Sequence, residues 1–128
     1  MRYSSRLAAA ALLAGMAAPA PLLAHVGLAA ATPASGSAGN APGQITLTFD
    51  ERVAPASASA AIIMTAMPGM ADHGEMAIRN FVASWSADGT TLTLTLKKPL
   101  PKGTYDVRWQ AAGDDGHVTR GTVTFAVR

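Results

Sequence analysis

The sequence predicts an all-β fold of about seven strands: a Greek-key β-sandwich, of the immunoglobulin-like or cupredoxin-like small-barrel type. Three observations predict it. Four segments alternate apolar and polar residues with period two, these segments are rich in Thr, Val, Leu and aromatic residues, and turn signals lie between runs. In Gln44–Phe49, Ile45, Leu47 and Phe49 share one face and Thr46 and Thr48 the other. Thr91–Leu96 sets Leu92, Leu94 and Leu96 opposite threonines. Residues 104–110 group Tyr105, Val107 and Trp109, and residues 122–127 group Val123, Phe125 and Val127. Residues 60–64 and 78–85 are weaker strand candidates, and 29–43 read as an irregular connection. Asp88-Gly89 and Lys102-Gly103 are turn signals. No helical period follows residue 24, and there is no internal repeat.

The chain of 128 residues has room for one domain, taken as 25–128. Residues 1–24 read as a cleaved signal peptide. Arg2 and Arg6 form a positive start, and residues 7–18 are an apolar run too short to span a bilayer. Ala18-Pro19-Ala20 matches the cleavage pattern but is followed by Pro21. Cleavage after Ala24 is the better choice, although Leu22 stands where a small residue is preferred. The mature chain then starts at His25. Without Arg2 and Arg6, the ten Lys and Arg fall to eight, balancing eight Asp and Glu. A neutral chain gives no reason to expect a nucleic-acid or anionic-membrane partner. With no cysteine there is neither a disulfide nor a thiolate metal site, so the core alone must hold a secreted domain together.

Metal-capable residues are concentrated. After residue 24 there are three histidines, His25, His73 and His117, and four methionines, Met64, Met67, Met70 and Met76. All four methionines and His73 lie in MTAMPGMADHGEM. Methionines often fill core gaps, or form an adaptable surface for a partner. The Pro68-Gly69 turn and the polar stretch 71–75 argue instead for a loop whose thioethers meet a soft ion such as Cu(I), with an imidazole as a further ligand.

Asp115-Gly116-His117 alone is weak, since most such triplets are plain turns. A free amino terminus at His25 strengthens it. The α-amine and imidazole Nδ1 of His25 would chelate one metal, with His117 adding a nitrogen and Asp115 an oxygen. That tetragonal N,O set suits Cu(II). Asp115 and His117 would face one side of an extended segment, with Gly116 free to aim both. A nitrogen-rich site beside a sulfur-rich one points to copper, whose two oxidation states prefer those two environments. Zinc prefers a tetrahedral site and leaves the thioethers unexplained.

From its histidine start through TPASGSAGNAP, QITLTFDERV, MTAMPGM and GTYDVRWQAAGDDGHVTRGTVTFAV, the chain resembles the CopC copper-resistance family over residues 25–128. The resemblance implies a periplasmic Greek-key β-sandwich with a Cu(II) site at His25, Asp115 and His117 and Glu51 as a weaker candidate nearby; a monomer is expected. It also implies a Cu(I) site drawn from Met64, Met67, Met70, His73 and Met76. One residue more than the family pattern separates Met70 from His73, which puts the place of His73 and Met76 in question. The implied partners are copper ions and an inner-membrane CopD-type transporter or other copper-handling proteins. The implied role is a carrier, not an enzyme. The alternatives are a histidine-brace copper oxidase or monooxygenase, and a metal-free interaction module. Trp85, Tyr105 and Trp109 are expected in the core, and Asp106 and Arg108 on a solvated face.

Overall fold

A computed structural model describes residues 25–70 and 74–128. The signal-peptide reading of 1–24 and the position of His73 lie outside the described residues.

Among the described residues nine strands form two open sheets rather than a closed barrel. They are β1 (Leu28–Thr32), β2 (Ala38–Gly39), β3 (Gln44–Phe49), β4 (Ser59–Ala66), β5 (Met76–Ile78), β6 (Phe81–Trp85), β7 (Thr91–Leu96), β8 (Gly103–Ala112) and β9 (Val118–Val127). One sheet has the order β1-β3-β7-β6, the other β2-β9-β8-β4-β5. Hairpins join β4 to β5, β6 to β7 and β8 to β9, while the remaining connections cross between sheets, as Greek-key sandwiches require. Among the described residues no helix is long and apolar enough to cross a membrane.

The alternating segments form the facing layers. Ile45, Leu47, Leu92 and Leu94 from one sheet meet Ile62, Met64, Tyr105, Val107, Val123 and Phe125 from the other, all nearly inaccessible to water. Phe49 meets Trp109 edge-on, ring centroids 5.2 Å apart, and Tyr105 stacks on Phe125 at 5.5 Å. Trp109 lies across the backbone of its strand partner Gly121, where a Cβ would stand 2.5 Å from the indole, so only glycine fits. The Tyr105 hydroxyl donates to the Pro101 carbonyl at 2.5 Å, tying the entry of β8 to the loop before it. Trp109 and Tyr105 are buried, and Trp85 packs half-buried against the core beside Phe49, ring centroids 6.1 Å apart, as expected of core aromatics.

The structure corrects the sequence reading in three places. Segment 29–43 contains two edge strands, because its alanines and glycines pair through backbone while leaving no apolar period to read. Segment 78–85 is not one strand: Ile78 ends β5 in one sheet and Phe81 begins β6 in the other. And β4, β8 and β9 run beyond their apolar cores, lengthening the hairpins that carry the site.

Candidate metal centre

The long β8–β9 hairpin ends in the turn 113–117. The Gly116 N–H donates to the Gly113 carbonyl at 3.1 Å, and Gly116 has φ +75°, a conformation glycine adopts at no steric cost. The Asp115 carboxylate accepts the backbone N–H of His117 through Oδ1 at 3.0 Å, a local side-chain turn that leaves Oδ2 free. Asp115 and His117 therefore converge through this turn and not through an extended segment. Convergence was expected, by a different geometry.

His25 arrives from the other sheet. Val26 is fully buried, and the Gly27 N–H donates to Asp50 Oδ1 at 2.8 Å. His25 Nδ1 then lies 3.6 Å, and His117 Nδ1 3.4 Å, from the same atom, Asp115 Oδ2. The two imidazole rings are 5.0 Å apart between centroids. One donor atom from each of the three residues lies within 4.8 Å of the other two. Metal–nitrogen bonds of roughly 2 Å put opposite ligands of one ion about 4 Å apart, so small side-chain rotations close this set on an ion. The imidazoles are about half exposed at 55% and the Asp115 side chain is more sheltered at 19%, an arrangement open to solvent on one side. Glu51 is outside this trio. Its carboxylate packs against the backbone of Gly113, beneath the turn, where a Cβ at Gly113 would collide with it.

The methionines gather at the opposite end. Met67 and Met70 face each other across the Pro68-Gly69 turn, closed by a 3.2 Å hydrogen bond from the Met70 N–H to the Met67 carbonyl, with Gly69 at φ +78°. Met76 starts β5 directly across from Met64. Met70 and Met76 are about half exposed. Met64, also a candidate ligand by sequence, is 1% exposed and packed in the core. Its place in the Ile62, Met64 alternation was the signal for this.

Beside this loop is a polar chain that the sequence reading did not anticipate. Arg108 on β8 reaches over β4 and donates from both terminal nitrogens to Glu75, at 3.0 and 2.7 Å. Its partner in β4 is Ala61, whose short side chain leaves the way clear. Arg108 also donates to Asp106 at 3.2 Å, and Asp106 accepts from Thr124 at 2.8 Å. The Arg108 guanidinium, by hydrogen bonds and then by charge, holds the Glu75 carboxyl below its ordinary value. Asp106 and Arg108 thus form a strap across the expected solvated face. The ten residues of β8, at about 3.3 Å each, separate the histidine end from the methionine end by roughly 30 Å.

A CopC-domain family model matches residues 28–128. The chain belongs to the CopC family. It is 44% identical over 115 residues to Copper resistance protein C of Pseudomonas syringae pv. tomato, covering 90% of each chain. Its fold is similar to the crystal structure of PcoC, a methionine-rich copper resistance protein from Escherichia coli. That match has a TM-score of 0.73 and 33% identity, over 82% of this chain and all of the other. It is also similar to CopC from Methylosinus trichosporium OB3b, with a TM-score of 0.63 and 25% identity over 80% of this chain and 93% of that one. The expected family and the β-sandwich are both borne out.

Proposed function

We propose that the mature chain, cut after Ala24, is a periplasmic copper carrier of copper resistance. It holds Cu(II) through the amine and imidazole of His25, the Asp115 carboxylate and the His117 imidazole. Met67, Met70 and Met76, with His73, take Cu(I) at the far end, and the metal passes to an inner-membrane CopD-type transporter or another copper-handling protein. The observation that carries this reading is the convergence of His25, Asp115 and His117 donors within 4.8 Å. Neutral nitrogen donors and one carboxylate match the preference of Cu(II) for tetragonal N,O ligands, and thioethers match Cu(I). Asp115 also favours a carrier over a histidine-brace oxidase. As a fourth equatorial ligand it occupies the position that oxygen activation would need open.

While residue 24 precedes it, the His25 nitrogen is a peptide nitrogen and no ligand. The test is a Cu(II) titration of two proteins, one starting at His25 and one with two extra residues in front, followed by EPR and competition affinity. Tight one-to-one tetragonal N,O binding is expected only in the first. Equal affinities in both would remove the amine, and with it the His25 chelate, from the reading.

A further inference from the structure

The last residues before a chain end fray unless something ties them down. Here His25 must stay over a turn contributed by the other sheet, and only Val26 separates it from the first fixed backbone. Asp50, just past β3, fixes that backbone twice. Its carboxylate Oδ1 accepts the Gly27 N–H at 2.8 Å, and its own N–H donates to the Gly27 carbonyl at 2.9 Å. Contact is close enough that a Cβ on Gly27 would stand 2.9 Å from Asp50 Oδ2. Val26, fully buried, is the third hold on the arm. Asp50 itself is not among the three residues whose donors meet.

We propose that Asp50 is the positioning residue of the amino-terminal metal arm. It clamps Gly27 and so keeps His25 over Asp115 and His117 before any ion arrives. The proposal rests on the Cu(II) reading above and adds a residue that acts through another. A ligand held in its bound place loses less conformational freedom when the metal binds, and the gain appears as affinity. The side-chain oxygen does the work by accepting a hydrogen bond, so an amide at position 50 serves nearly as well as a carboxylate, whereas a methyl group does not.

The test uses three proteins starting at His25: wild type, Asp50→Asn and Asp50→Ala. Expected is a loss of Cu(II) affinity of about tenfold in Asp50→Ala, the effect of one hydrogen bond, with Asp50→Asn close to wild type. Without metal, the Gly27 amide should exchange with solvent faster in Asp50→Ala alone, and Cu(I) binding should not change. Unaltered Cu(II) affinity in Asp50→Ala overturns the proposal. So does an equal loss in both variants, which would make the carboxylate's charge the cause. If wild type takes up no Cu(II), the metal reading falls. Gly27 exchange then decides by itself whether Asp50 holds the arm.

Discussion

His25 and His117 meet on one oxygen: the Nδ1 atoms of the two rings lie 3.6 and 3.4 Å from Asp115 Oδ2. The other oxygen of that carboxylate is committed to the His117 backbone. Asp115 thus shapes the turn with one oxygen and faces both imidazoles with the other. Asp115→Asn keeps an acceptor for the turn but loses the anionic ligand, and Asp115→Ala loses both. Both variants are expected to weaken Cu(II) on the order of a hundredfold, with Asp115→Ala the weaker binder. Stability should shift by no more than about 0.5 kcal/mol, because the turn is exposed. Competition titration and thermal unfolding of the same samples check both statements.

The Arg108–Glu75 fork ties residue 75, next to Met76, to the outer face of the five-stranded sheet. Arg108 holds the Glu75 carboxyl below its ordinary value of 4.5. A carboxyl lowered in the folded state contributes its stability above the unfolded value, and that contribution is lost as pH falls through the folded one. The amide signals of Met76 and Ala77 should therefore shift and broaden together as the pH drops below about 4.5. Arg108→Ala should remove that step and give the loosened spectrum already at neutral pH. An unchanged titration in Arg108→Ala would show that the fork does not restrain the loop.

Tyr105 makes stability depend on alkaline pH. Its ring is fully buried, and burial pushes the phenol from 10.0 up to about 12. Because the folded value is raised, this stability is complete below the unfolded value and is lost as pH climbs toward the folded one. The free energy of unfolding, read from denaturant titrations, should fall between pH 10 and 12, by about 3 kcal/mol at most for this group. Tyr105→Phe should cost about 1 kcal/mol at neutral pH, through the lost hydrogen bond to Pro101, and flatten the fall above pH 10.

Strands β3 and β7 were readable to the residue, since Ile45, Leu47 and Phe49 in one and Leu92 and Leu94 in the other are buried, and threonines alternate with them on a more open face. Strands β1 and β2 were not, because edge strands of alanine and glycine hold by backbone pairing alone. Two of the proposed site residues, Asp115 and His117, are adjacent to a glycine, and His25 was legible through the chemistry of a free amino terminus. Asp50 and Arg108 left no such trace. Their partners, Gly27 and Glu75, are far away in sequence, and a hydrogen bond between distant residues imposes no period. Glu51 was legible only by resemblance, and its packing under Gly113 depends on how two sheets approach.

Met64 and Met70 differ sharply in burial within one short motif. Met64 is buried to 1% exposure beside its strand partner Tyr105 at the start of β8, whereas Met70 is 52% exposed where the Pro68-Gly69 turn ends. Removing the buried side chain leaves a cavity in the core, so Met64→Ala should destabilise the protein by about 2–5 kcal/mol. Met70→Ala removes a side chain that water already reaches, and its stability should stay within about 0.5 kcal/mol of wild type. Copper(I) affinity should behave in the opposite way. Met70→Ala deletes a thioether from the proposed ligand set and should weaken Cu(I) by about tenfold or more, while Met64→Leu, which keeps the core filled, should bind as wild type does. The measurements are chelator competition under reducing conditions and urea unfolding of the metal-free proteins. A Met64→Leu variant that is stable but loses Cu(I) would return Met64 to the ligand set and require the end of β4 to open on metal binding.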